Sequence, residues 1–198
     1  YTTLGNHVRP SMMMLVGDLS YADGNGFRWD SWGKLMSPTL SELPLVAFPG
    51  NHEVEIDSLT AETFKHFRSR FRMPEVRPEV ATAGTLTSWA PYDVSDISYD
   101  FGSSYFSFDV GMVHIVCMNT YTSNKVGSSQ YQWLSEDLDA VNRSATPWVL
   151  VFAHAPLYNS NLIHGADSAT VEMREAIEPL LHEHRIAAFF AGHVHACE

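Results

Sequence analysis

The sequence predicts an α/β fold, and three observations carry that reading. Short apolar runs of strand length alternate with longer segments of helical periodicity in the first and last thirds of the chain. The middle alternates apolar and polar residues, as hairpin strands do. Four of the apolar runs also end in the same way, on a glycine or a polar residue, as strands do where their carboxyl ends feed one crevice. Such interleaving gives a mixed sheet, or two packed sheets, with helices outside.

Met12–Val16 is an apolar strand stopped by Gly17, and the polar stretch from Asp18 to Gly26 is a loop. From Phe27 to about Leu43, Trp29, Trp32, Leu35 and Met36 recur at helical spacing. Leu45–Phe48 is a second strand, ended by Pro49-Gly50. Phe64, Phe67 and Phe71 make Thr60–Arg72 a helix, and the prolines between Met73 and Asp96 make that stretch a loop. Ser98–Asn119 alternates around a break at Gly111 and reads as an antiparallel hairpin. Ser128–Asn142 is a helix carrying Trp133, Leu134, Leu138 and Val141 on one face; Trp148–Ala153 is a strand, Ser168–His184 a helix, and Ile186–Phe190 a final strand. The aromatic stripes read as core. His7, His66, His114, His182 and His184 read as surface or hydrogen-bonded structural residues.

Composition narrows the function. A chain of 198 residues is one domain, long enough for a real core, and 45% hydrophobic content is ordinary globular usage. With 23 acidic residues against 12 basic ones the net charge is −11, which argues against a nucleic-acid partner. No apolar run approaches the roughly 20 residues of a membrane span. Two cysteines are too few for a disulfide framework.

The chemistry lies where the polar residues fall. Val16 leads into Gly17-Asp18, Phe48 into Gly50-Asn51-His52, Phe152 into His154, and Phe190 into Gly192-His193-Val194-His195. One strand-terminal Asp is most often a cap or turn residue, and one Asn-His pair is mostly turn chemistry. Two histidines at i, i+2 are harder to dismiss, and four strand ends in this order are an O/N ligand set suited to Fe, Zn or Mn rather than Ca.

These residues resemble the calcineurin-like metallophosphoesterases and, within them, the plant-type purple acid phosphatases. Gly17-Asp18-Leu19-Ser20-Tyr21 is similar to a GDxxY motif, Gly50-Asn51-His52-Glu53 to GNH[DE], Val151-Phe152-Ala153-His154 to VxxH, and Gly192-His193-Val194-His195 to GHxH. Tyr21-Ala22-Asp23, Trp29-Asp30-Ser31-Trp32-Gly33 and His154-Ala155-Pro156-Leu157-Tyr158-Asn159-Ser160 agree with the plant-type branch. The resemblance covers essentially the whole chain and implies an α/β/β/α sandwich of two mixed sheets flanked by helices. It also implies Fe(III) paired with a divalent ion (Zn, Fe or Mn). Asp18 would bridge the two, Tyr21 and His195 would bind the ferric ion, and Asn51, His154 and His193 the divalent one. The implied activity is that of an acid phosphatase on phosphate monoesters, by attack of metal-bound hydroxide at mildly acidic pH. His52 and His164 would serve the leaving group's proton. Asp23 is read as either a supporting residue near the site or a turn residue.

Three departures qualify the resemblance. Ile163-His164 stands where many plant-type members carry two adjacent histidines. The family's first motif, DxG, has no strand to carry it before Met12, and Asp109-Val110-Gly111 spells it only within a hairpin, where it reads as a turn. The chain stops at Ala196-Cys197-Glu198 where relatives continue. The expectation is therefore a catalytic domain truncated at both ends, lacking one ferric ligand. The sequon Asn142-Arg143-Ser144 fits a secreted or vacuolar glycoprotein. The sequence leaves open a homodimer, a preference for diesters, nucleotides or phytate, and a catalytically silent scaffold. Against the last stands the stability cost of a buried Asp and clustered His with no metal to compensate them.

Overall fold

Side-chain alternation along the strands decides the layers. The computed structural model describes residues 10–55, 59, 63–75, 102–164 and 167–196. Strands β1 (Met13–Leu15) and β2 (Leu45–Ala47) pair in parallel, Met14 opposite Val46. Their Met14 and Val46 faces join Phe48 in a cluster with Phe106, Ile115, Cys117 and Phe152 of a second sheet. Leu15, Leu45 and Ala47 point the other way, into Trp29, Phe64 and Phe67. Period-two alternation thus makes each strand of the small sheet apolar on both faces, as a layer buried on both sides requires.

The second sheet has the order β3-β4-β5-β6, from Phe106–Val110, Val113–Cys117, Trp148–Phe152 and Ala188–Phe190. The β3–β4 pair is antiparallel and the other two pairs are parallel, so this sheet is mixed. Gly111 opens the two-residue hairpin loop with φ 58, the position where a II′ turn places glycine. On the outer face Val116, Val149 and Val151 pack against Leu134 and Leu138 of α3 (Ser129–Ala140) and Met173, Ile177 and Leu181 of α4 (Ser168–Glu183). Helices α1 (Gly26–Leu40) and α2 (Lys65–Arg70) cover the small sheet through Trp29 and Phe67. The layers are therefore α/β/β/α, as expected, with the small sheet wholly parallel among the described residues. No helix among them is long and apolar enough to cross a membrane.

Boundaries differ from the sequence reading in identifiable ways. The helix expected over Thr60–Arg72 is found at Lys65–Arg70, because Phe64 takes a left-handed φ of 56 that no continuing helix accepts, and residues 60–62 lie outside the described residues. Helix α1 closes at Leu40, its Ser41 N–H returning to Ser37 and the Ser41 hydroxyl to Pro38. The hairpin ladder starts at Phe106 rather than Tyr105, although Tyr105 is fully buried. The expected strand residues at 98–101 lie outside the described residues.

Away from the strand ends, His114 ties the hairpin to α3. Its Nδ1 lies 2.7 Å from Asp109 Oδ1 and its Nε2 3.0 Å from Asp137 Oδ2, while Ser107 Oγ donates to Asp137 Oδ1 at 2.6 Å. This gives His114 the structural role expected of it and leaves Asp109 a hairpin residue. The Asp137 hydrogen bond, opposed by burial and helped by Asp109, lifts His114 above the ordinary histidine value. Folding therefore takes up a proton here. The stabilisation is complete below the unfolded value of 6.5 and is lost as pH rises through the higher folded value. Replacing His114 by Gln should lower stability by about 1–3 kcal/mol at pH 6. Urea unfolding at pH 6 and pH 8.5 should show that component of the wild-type decline missing from the variant.

Candidate metal centre

The loop leaving β1 is wound left-handed at nearly every position that matters. Gly17 has φ 90, Asp18 54, Tyr21 48 and Asp23 50, and His193 after β6 has 64. Non-glycine residues held there each store on the order of 1 kcal/mol or more, which the surroundings must compensate. Glu53 supplies that compensation. Its carboxylate, buried beneath the loop, accepts the backbone N–H groups of Asp18 at 2.6 Å, Leu19 at 2.8 Å and Gly50 at 2.8 Å. A neighbouring buried carboxylate, Glu55, receives the Trp29 indole N–H at 3.2 Å and the Gly24 N–H at 3.3 Å, anchoring the far end of the loop to α1.

Glycine is needed at two points where these chains touch. A Cβ on Gly50 would lie 2.5 Å from the Asp18 nitrogen and 2.7 Å from His154 Cε1. One on Gly17 would lie 2.5 Å from His154 Nδ1 and 2.6 Å from the Gly50 Cα. The close approach brings the ends of β1, β2 and β5 together. It also lets His52 N–H donate to Asp18 Oδ1 at 3.1 Å.

At the centre, hydrogen bonds from outside decide which imidazole nitrogen faces inward. His154 Nδ1 donates to the Val16 carbonyl at 2.6 Å. Its Nε2 then faces Asp18 Oδ2 and Asn51 Oδ1, both at 3.2 Å. His193 Nε2 donates to Asp167 Oδ2 at 2.9 Å, so its Nδ1 lone pair faces Asn51 Oδ1 at 3.1 Å. Acceptors aimed at acceptors repel unless a proton or a cation sits among them. For His193, burial and the neighbouring His154 and His164 outweigh Asp167 and hold its pKa below the ordinary histidine value. A proton on His154 Nε2 shared with Asp18, or a cation bound among these atoms, satisfies the set. Asp18, His154 and His193 offer ligand atoms that all lie within 4.8 Å of one another.

A second donor set adjoins the first through the same carboxylate. Tyr21 Oη lies 3.3 Å from Asp18 Oδ2 and 2.9 Å from His195 Nε2. Burial, then the carboxylates of Asp18, Glu53 and Asp23, push the Tyr21 phenol up to about 12. Only a strongly charged cation would reverse that preference and favour the phenolate. Burial also pulls the Asp18 pKa upward. Its His154 contacts and the His52 N–H outweigh this and hold it below the usual carboxylate value. The phenol and carboxylate suit a hard trivalent ion, and the imidazole-rich set with an amide oxygen suits a borderline divalent one. The residues present fit a pair of cations.

All eight residues singled out from the sequence lie within this neighbourhood. The His52 ring lies 4.3 Å from the Tyr21 ring, tilted by 45°, and its Nδ1 is held by Asp23 Oδ1 at 2.6 Å, so Asp23 takes the supporting position rather than a simple turn role. The His164 ring lies 4.4 Å from that of His193, with Nδ1 3.0 Å from Asp167 Oδ2. Ile163 is 79% exposed, beside His164 rather than within the cluster. Sequence reasoning assigned nothing to Glu53, Asp167 or Tyr121, whose buried hydroxyl reaches Asn51 Oδ1 at 3.5 Å. Glu53 was visible only as the last letter of Gly50-Asn51-His52-Glu53. Asp167 carries no local signal beyond preceding a helix.

The Glu53 carboxyl is pushed up to about 7 by burial and then by Asp18, while its backbone donors pull the other way. Replacing it by Gln turns one of its oxygens into a donor facing N–H groups. Glu53→Gln should therefore destabilise the protein by about 1–3 kcal/mol in urea unfolding. Gly50→Ala, which forces the Asp18 loop away from His154, should abolish tight metal uptake in a chelator competition.

Comparison with known proteins shows the family and the fold. Residues 2–197 match the family model described as calcineurin-like phosphoesterase. Purple acid phosphatase 22 of Arabidopsis thaliana is 40% identical over 188 residues, covering 94% of this chain and 38% of that protein. The phosphoenolpyruvate phosphatase of Allium cepa is 35% identical, over 94% of this chain and 35% of its own length. This chain thus spans about two fifths of the length of the curated relatives it matches. Among solved structures, the purple acid phosphatase PPD1 from yellow lupin seeds superposes with a TM-score of 0.70 at 22% identity, over 93% of this chain and 30% of that one, which shows the shared fold. The chain belongs to the calcineurin-like phosphoesterase family, and its resemblance is to the purple acid phosphatases within it.

Proposed function

We propose that this chain forms the metal-binding core of an acid phosphatase that hydrolyses phosphate monoesters at a two-metal centre. The observation that carries the proposal is the place of Asp18. One oxygen of its carboxylate lies within 3.3 Å of Tyr21 Oη and within 3.2 Å of His154 Nε2, so it stands between the two donor sets. In this reading Asn51, His154 and His193 hold a divalent ion (Zn, Fe or Mn), Tyr21 and His195 hold Fe(III), and Asp18 is shared. Bound there, the ions would supply a Lewis-acid clamp on the phosphate oxygens and a strong nucleophile from water.

The chain's own residues do the rest. The departing ester oxygen needs a proton or a hydrogen bond, and phosphoryl transfer asks mainly for positioning around it. His52 is held at Nδ1 by Asp23, which leaves Nε2 as the atom to exchange a proton with a bound ester. His164 stands beside His193 with Nδ1 on Asp167, ready to orient or protonate the leaving group from the other side. The onion relative, named for a phosphorylated small acid, supports a small phosphorylated metabolite as substrate over a diester. A secreted or vacuolar setting belongs to the same proposal and is supported by the exposed Asn142 of the sequon.

Elemental analysis of the full natural protein should find about two metal ions per chain, iron among them. A visible charge-transfer band should disappear in Tyr21→Phe. Asp18→Asn and His154→Ala should each lower hydrolysis of p-nitrophenyl phosphate more than about 100-fold, since losing mere supporting residues already costs 10–100-fold. Undiminished hydrolysis by metal-free protein, or an iron-loaded protein without the Tyr21-dependent band, would sink the proposal.

A further inference from the structure

Asp167 sits at the N-cap of α4 but caps nothing with its side chain. An aspartate there ordinarily satisfies a helix N–H and contributes about 1 kcal/mol by doing so. This one turns its carboxylate away from the helix, toward two imidazoles. Oδ2 lies 2.9 Å from His193 Nε2 and 3.0 Å from His164 Nδ1, and the side chain is only 13% exposed. Its backbone still starts the helix, the carbonyl accepting Val171 N–H at 3.0 Å. The capping contact has been given up while the capping position is kept.

We propose that Asp167 is a positioning residue shared by the metal centre and the proton-donor histidine. The inference rests on the two-metal reading above. His193 has Asp167 on one ring nitrogen and Asn51 Oδ1, 3.1 Å away, on the other, so carboxylate, imidazole and metal-binding atoms stand in line across one ring. A carboxylate in that place fixes the Nε2–H tautomer, locks the ring's orientation and makes Nδ1 a stronger donor toward a cation. The same oxygen holds His164 against His193, ring centroids 4.4 Å apart. One side chain thereby couples the aim of a metal ligand to the placement of the group that would serve the ester oxygen. Ile163, next to His164, stands where the plant-type pattern has a second histidine.

The test separates this role from ordinary helix capping. In the full natural protein, Asp167→Ser keeps a good N-cap but removes the carboxylate from both rings. Zn(II) affinity, measured by chelator competition, should fall about 10–100-fold. Urea stability of the metal-free protein should hold, and kcat should fall more than KM rises. His164→Ala should lower kcat while leaving Zn(II) affinity unchanged, and adding Asp167→Ser to it should reduce kcat by less than in the wild type. Asp167→Asn, close in size, should reproduce the affinity loss if the serine variant fails to fold, and Asp167→Glu should restore part of it. Zn(II) affinity and kcat within twofold of wild type in the serine or asparagine variant would overturn the inference. His154→Ala serves as the separate control. If it too leaves Zn(II) affinity unchanged, the metal-centre reading has failed and the Asp167 role falls with it.

Discussion

The hydrogen bond from His154 Nδ1 to the Val16 carbonyl, 2.6 Å long, sets the chemical character of the whole site. A neutral imidazole has one donor and one acceptor nitrogen, and spending the donor on a strand carbonyl leaves the acceptor facing Asp18 and Asn51. His193 repeats the arrangement with Asp167 in the carbonyl's place. Unprotonated at their second ring nitrogen, both imidazoles would bring lone pairs to oxygens that also bring lone pairs. Such a cluster is unfavourable by itself and favourable around a positive ion. A bound cation would relieve that repulsion in place of a proton, which is what makes the site a candidate metal centre.

The fold exists around this cluster as a device for forcing unlike strand ends together. β1 and β2 are only three residues long, and the small sheet they form owes its place to apolar contacts on both faces. Their short length puts the Asp18 and Asn51 loops directly over the ends of β5 and β6. Gly17 and Gly50 permit backbone contacts that any side chain would block. Glu53 then converts the strained left-handed loop into a fixed one by taking three of its neighbours' N–H groups. Metal ligation, close packing and backbone strain are thus three aspects of one local arrangement.

Much of this was legible in the sequence. The strand ends at Asp18, Asn51, His154 and His193 stood out because a polar residue terminating an apolar run is a local pattern. The nearly continuous apolar run in Val113–Cys117 likewise fitted a strand buried on both faces. What stayed hidden was non-local. Glu53 acts on residues 34 and 35 positions away, and Asp167 on one 26 away, through contacts that leave no periodicity behind. The late start of α2 was hidden for a different reason: helical spacing of phenylalanines cannot reveal that Phe64 takes a positive φ.

Anomalous diffraction from crystals of the full natural protein grown with iron and zinc tests the central claim most directly. Two peaks should flank the Asp18 carboxylate, the iron-edge peak beside Tyr21 Oη and His195 Nε2, the zinc-edge peak beside Asn51 Oδ1, His154 Nε2 and His193 Nδ1. A map with no anomalous peak at Asp18, or with His154 Nε2 turned away from the peaks found, would contradict the account.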